Sequence, residues 1–191
     1  MPMNFLHRKL CSSEKWATLV AEEMPGRLTG FDLGDNVLEI GPGFGATTRA
    51  LVNHTPSLTA LEIDEASSAK LRAEFGSKVT VVHGDGAKMP FEDNTFSAVV
   101  CFTMLHHVPS TALQDSIFAE AHRVLRPGGI LRGTDSQASF PFRVLHIGDT
   151  MNVLDASTLP KRLEQAGFGQ VRVDHVPKRL VSFSAVKGRQ P

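Results

Sequence analysis

Residues 37–48 read Val-Leu-Glu-Ile-Gly-Pro-Gly-Phe-Gly-Ala-Thr-Thr, an apolar run that turns through Gly41, Gly43 and Gly45 into helix-forming residues. Glycines at a strand-to-helix turn supply positive φ and leave no Cβ in the way, and the helix behind them offers unpaired N–H groups at the positive end of its dipole. The chemistry this allows is close approach of a polar ligand to the backbone. Glu39 stands two positions before Gly41, in a stretch that reads as buried strand, where a carboxylate needs a cationic group or donor N–H groups to offset its desolvation. Glu62, twenty-three residues farther on in Leu-Thr-Ala-Leu-Glu-Ile-Asp, is a second strand-end carboxylate able to accept two hydroxyl hydrogen bonds. Asp64 reads instead as the cap of a helix starting near Glu65. Asp85 supplies a third carboxyl group, in an Asp-Gly dipeptide that also favours a plain turn. His106 and His107 follow another apolar run, and imidazoles that titrate near neutrality can take the proton of a reacting hydroxyl.

These groups need a frame that brings strand ends together. Short β-branched runs at Asn36–Ile40, Ser57–Glu62, Lys78–His83, Phe96–Phe102 and Gly129–Asp135 alternate with helix-period segments at Ala46–Val52, Glu65–Phe75 and Thr111–Leu125, the last stopped by Arg126-Pro127-Gly128-Gly129. That alternation predicts a parallel sheet. A helix at Leu159–Ala166 precedes strands at Gln170–His175 and Leu180–Ala185, whose four-residue connection is too short for a parallel crossover and predicts an antiparallel hairpin. Ahead of the first strand, Ser12–Met24 has helical spacing, with Pro25-Gly26 expected to end it.

The chain of 191 residues, 41% hydrophobic and 21% charged, predicts one domain: an N-terminal helical segment over the site (1–35), a ligand-binding core (36–135) and a substrate-facing segment with the hairpin (136–191). Twenty basic residues balance twenty acidic ones, which argues against nucleic acid or an anionic membrane as partner. Cys11 and Cys101 provide neither a disulfide framework nor metal-ligand spacing, so no metal and a reducing cytoplasm are expected. No uninterrupted run of eighteen apolar residues and no signal-peptide core is present.

In order along the chain, E-I-G-P-G-F-G, L-E-I-D, G-D-G-A-K-M-P-F, the strand leading into L-H-H, and R-V-L-R-P-G-G-I-L resemble the motifs of class I S-adenosylmethionine-dependent methyltransferases. The resemblance covers about residues 36–187 and implies a Rossmann-like α/β fold: a seven-stranded, mostly parallel sheet with an antiparallel C-terminal hairpin and helices on both faces. It implies S-adenosyl-L-methionine as cofactor. Glu39 would act near its ammonium group, and Gly41, Gly43 and Gly45 would lie against the methionyl and ribose portions. Glu62 would bind the ribose hydroxyls, with Ile63 in the same site. Asp85 would accept from the adenine amine, and Gly86 or Ala87 would donate a backbone N–H to the ring. Two positions depart from the pattern, an inserted Gly86 and Ser97 where the family usually has Asp.

The stretch after strand four lacks the Asn/Asp-Pro-Pro-aromatic motif that nucleic-acid amino methyltransferases use on an extruded base, so a small-molecule acceptor is expected. Residues 134–154, with Phe140, Phe142, Arg143, His146 and Met151, are expected to face it, and His106 or His107 would take its proton. Two alternatives stay open: an S-adenosylmethionine-binding protein that transfers no methyl group, and a nicotinamide-dependent oxidoreductase. The latter is allowed because Ala46 can stand for the last glycine of the dinucleotide fingerprint, although the absence of tyrosine excludes reductases that use a Tyr-Lys pair.

Overall fold

Strands buried on two faces send alternate residues into two separate cores, and this decides the layering. In the computed structural model, which describes residues 4–189, strand β1 (Asn36–Ile40) points Leu38 and Ile40 into one core and Val37 into the other. Strand β4 (Phe96–Phe102) divides likewise, Val99 and Cys101 against Ala98, Val100 and Phe102. The first core is closed by α5 (Thr111–Val124) through Ile117, Phe118 and Ala121 and by α7 (Leu159–Gln165) through Leu159 and Leu163. The second is closed by α2 (Glu14–Leu28), α3 (Ala46–Leu51) and α4 (Glu65–Phe75).

With β2 (Ser57–Glu62), β3 (Thr80–His83), β5 (Leu125–Ser136), β6 (Phe168–Val176) and β7 (Leu180–Lys187), the sheet has seven strands in the order β3-β2-β1-β4-β5-β7-β6. The first five run parallel, and β7 enters antiparallel between β5 and β6, as the short turn at residues 177–179 requires. The order reverses between β1 and β4. At such a switch point the connections leave to opposite sides and open a crevice at the carboxyl ends of the strands. Among the described residues no helix is long and apolar enough to cross a membrane.

Several boundaries differ from the sequence expectation. Helix α2 does not end at Pro25-Gly26 but continues to Leu28. Proline removes one backbone donor, yet tertiary bonds hold the next turn: Arg27 reaches Glu23 at 2.5 Å and Thr134 Oγ1 at 2.9 Å, the Thr29 hydroxyl donates to the Pro25 carbonyl, and Leu28 is buried. Strand β5 begins at Leu125, four residues before Gly129, because Leu125 already pairs with Phe96 and the following residues bulge out before Ile130 takes up Ala98. Residues 76–78 form a 3₁₀ turn, which starts β3 at Thr80. Two short helices were not anticipated, α1 (Phe5–Cys11), capped by Asn4, and α6 (Phe140–Leu145), capped by Ser139.

Candidate functional site

The crevice beyond β1 and β4 is a cavity of about 850 Å³. Its floor is the glycine loop. Gly43 has φ +56°, and a Cβ built there would meet nothing within 4 Å, so its Cα faces open space in the cavity wall. Gly41 has φ +67° and sits against Met104, where a Cβ would come within 3.0 Å of the side chain. Across the switch point Thr103 lines the same cavity with φ +52°, a left-handed conformation costly for a threonine, held by its N–H donating to the Thr134 carbonyl.

Glu62 ties these pieces together. It is buried at the end of β2, where one carboxylate oxygen accepts from the Gly43 N–H at 2.9 Å and the other from the Asp64 N–H at 2.9 Å. Lone pairs remain on both oxygens for hydroxyl donors in the cavity, and Ile63 presents its side chain to the same space. Glu39 is placed differently. It lies beneath the loop, outside the cavity lining, accepting from the hydroxyls of Thr47 and, at 2.6 Å, Thr48. Burial pushes its carboxyl up to about 7, with the threonine hydroxyls pulling the other way and the charge of Glu62 adding to the rise. In this arrangement Glu39 braces the start of α3.

At the far end, Asp85 lines the cavity but turns one carboxylate oxygen onto the Ala87 N–H at 2.8 Å. The Asp-Gly turn and the ligand-facing position therefore coexist, and the Ala87 donor is already engaged; Gly86 is buried against Ile40. Asp64 caps α4 through the Ser67 N–H, which holds its carboxyl below the usual range. Ser97, at the position where the motif usually has Asp, donates to the Leu33 and Asn36 carbonyls and locks the approach to β1.

Opposite the carboxylates is a wall of imidazoles. His106 and His107 sit in the 3₁₀ turn after β4, and both line the cavity. The His106 ring is buried, its Nδ1 2.5 Å from Asp135 Oδ1, while the other Asp135 oxygen accepts the His106 backbone N–H at 3.2 Å. This clamps the ring and leaves Nε2 for the cavity side. His7 from α1 and His146 at the end of α6 complete the wall. Of the acceptor-facing residues expected from sequence, Phe142 and His146 line the cavity with Trp16 and Cys11, whereas Phe140 is 80% exposed. Asp135, His7 and Asp149 were missed in the sequence: each stands alone in its segment, and only folding supplies its partner.

Residues 38–132 match the family model described as Methyltransferase domain. A Mycolicibacterium smegmatis protein named as a probable S-adenosylmethionine-dependent methyltransferase is 32% identical over 142 residues, 71% of this chain and 52% of that protein. The chain belongs to the class I S-adenosylmethionine-dependent methyltransferases. A sterol 24-C-methyltransferase of Gibberella zeae is 38% identical over 107 residues, 53% of this chain and 27% of that enzyme, so the chain spans about a quarter to a half of these relatives' length. The fold is shared with phosphoethanolamine N-methyltransferase 2 of Haemonchus contortus, solved with S-adenosyl-L-methionine, at a TM-score of 0.70 and 16% identity over 96% of this chain and 60% of that one.

The residues of this chain fit that cofactor. Gly43 leaves the space a Cβ would fill, Glu62 presents acceptors that would suit ribose hydroxyls, and the carboxyl groups of Glu62, Asp64 and Asp85 line the cavity with a polarity that would suit a cationic sulfonium nucleoside. The same geometry opposes a dinucleotide. A pyrophosphate needs the loop's N–H groups, and here the Gly43 N–H is taken by an acidic side chain whose negative charge would repel it.

Proposed function

We propose that this chain transfers the methyl group of S-adenosylmethionine to a small, partly apolar acceptor. The carrying observation is the Glu62 carboxyl group bonded to the Gly43 N–H at the cavity floor, opposite an apolar and imidazole-lined wall formed by Trp16, Leu113, Phe142 and His106. When bound, the cofactor supplies an electrophilic methyl group on a sulfonium. The protein's own share is alignment and exclusion of water, worth roughly 7–11 kcal/mol in a displacement of this kind. Glu62 and the glycine loop hold the nucleoside, α1 and α6 cover the acceptor side, and His106 Nε2 takes a proton where the acceptor is a hydroxyl. The sterol C-methyltransferase among the relatives supports an apolar acceptor class. A formal net charge of zero supports a small molecule over nucleic acid. The cytoplasm is the setting we propose, and Cys11 and Cys101, unlinked to each other, suit it.

The test is calorimetry with S-adenosylmethionine, S-adenosylhomocysteine and NADH, followed by mass-spectrometric detection of S-adenosylhomocysteine and methylated product across a panel of small acceptors, with RNA as comparison. Binding of both sulfur nucleosides and turnover with a small acceptor is the expected outcome. Tight NADH binding without response to either sulfur nucleoside overturns the assignment, methylation of RNA alone overturns the acceptor class, and binding without turnover across a broad panel favours a sensor.

A further inference from the structure

Three imidazoles from separate elements meet on the acceptor wall: His7 from α1, His107 from the turn after β4 and His146 at the end of α6, with one potential ligand atom of each within 4.8 Å of the others. His7 and His146 are 3% and 4% exposed. Their tautomers follow from their neighbours. His146 Nδ1 lies 2.8 Å from the Phe142 carbonyl, which can only accept, so the ring proton sits on Nδ1 and Nε2 carries a lone pair. That Nε2 is buried and has no hydrogen-bond partner among the described residues. His7 Nδ1 lies 2.8 Å from an Asp149 carboxylate oxygen, which likewise places the proton on Nδ1 and leaves the Nε2 lone pair. Asp149 is itself fixed by the Asn4 backbone and side-chain N–H groups.

Two inward lone pairs thus share a cluster with one further imidazole. A neutral His107 has a single ring N–H, which satisfies one of them at most. His146 Nε2 is the buried acceptor left without a donor, a state that desolvation penalises. A cation satisfies all three nitrogens at once.

We propose that His7, His107 and His146 bind one divalent transition-metal ion, zinc by preference, with its remaining coordination position open to the cofactor cavity. An all-imidazole set suits zinc among the borderline metals, and three histidines with one open position is the arrangement of catalytic rather than structural zinc. The Asp149–His7 pair supplies the carboxylate that orients a ligating imidazole. Bonds of about 2.1 Å place tetrahedral ligands about 3.4 Å apart, a contraction that the short helices α1 and α6 can supply by a small shift. The open position takes a hydroxyl or thiol, whose proton passes to the adjoining His106 Nε2 and whose lone pair stays on the heteroatom. That role rests on the methyl-transfer reading; the ion itself does not. No spacing in the sequence points to this site, because its ligands are at positions 7, 107 and 146.

The test uses the tag-free chain of residues 1–191 without cofactor, stripped with chelator, titrated with Co²⁺ and Zn²⁺ and checked for fold by circular dichroism. Expected are the visible bands of four-coordinate Co²⁺ at one ion per chain, their displacement by Zn²⁺, and a thermal midpoint raised by Zn²⁺. Asp149→Asn should weaken binding about 10–100-fold, and His7→Ala or His146→Ala by more, while His122→Ala, outside the cluster, leaves it unchanged. Absence of the bands in the wild-type protein, or bands that persist in both folded cluster variants, overturns the proposal. Should the variants not fold, the wild-type spectrum and stoichiometry decide alone. None of these readouts involves methyl transfer, so a metal-binding protein without turnover would sink the activity and spare the site.

Discussion

Glu62 does two jobs with one carboxyl group: it fixes the glycine loop through the Gly43 N–H and keeps lone pairs for the cavity. Glu62→Ala should therefore weaken S-adenosylmethionine binding by about 1.5–3 kcal/mol, the scale of hydrogen bonds to a charged acceptor, and calorimetry on the folded variant checks it. Unchanged affinity would mean that Asp64 holds the ribose. His106 is the other residue with a defined geometry toward the cavity, since Asp135 clamps both its backbone and its ring. His106→Ala should lower turnover about 10²–10⁴-fold for a hydroxyl acceptor while cofactor affinity stays the same. Removal of the ring strands a buried Asp135, so fold must be verified, with His107→Ala measured alongside. Near-normal single-turnover rates in His106→Ala would leave alignment as the whole mechanism.

The short helices α1 and α6 matter more to the site than their lengths suggest. A helix of seven residues is not stable by itself, so α1 depends on its cap and its docking. Asn4 provides both: its side chain accepts the His7 N–H and donates to the Leu145 and Ile147 carbonyls, and its backbone N–H reaches Asp149. Asn4→Ala should remove about 1 kcal/mol of capping and release α1 locally. Hydrogen exchange of α1 amides should accelerate while those of β1, β4 and β5 keep their protection. Loss of protection throughout the sheet would show that α1 belongs to the cooperative core. Helix α2 illustrates the same dependence, since the bonds from Arg27 to Glu23 and Thr134 carry it past Pro25.

At the scale of the whole molecule, Glu39 couples stability to pH. Its carboxyl lies fully buried between the central strand and α3, and burial raises it from 4.5 to about 7. Between those values the unfolded chain releases its proton first. The folded state is therefore favoured fully below about pH 4.5, and that contribution, about 3 kcal/mol, is lost as pH rises through about 7. Urea unfolding of the cofactor-free protein at pH 5 and pH 8, compared with Glu39→Gln, should show the wild type losing about that much more than the variant. Parallel losses would mean that Thr47 and Thr48 stabilise the ionised form enough to cancel its desolvation.

The features legible in the sequence are those carried by contiguous residues. The glycine turn, the carboxylates at the ends of β1 and β2, the exit histidines and the closing hairpin each occupy a short window in which period, turn chemistry and residue type agree. Five parallel strands followed by an antiparallel pair were predictable for the same reason. What the tertiary structure decided is partnership. The family resemblance implies Glu39 near the cofactor's ammonium group, yet its neighbours Thr47 and Thr48 take it beneath the loop. Glu62 bonds across 19 residues to the Gly43 N–H, His106 across 29 to Asp135, and His7 across 142 to Asp149. Period and turn signals report only on residues a few positions apart. A hydrogen bond between distant segments exists because the sheet brings strand ends to one crevice, and the burial that makes such a bond count arises only when the helices close over it.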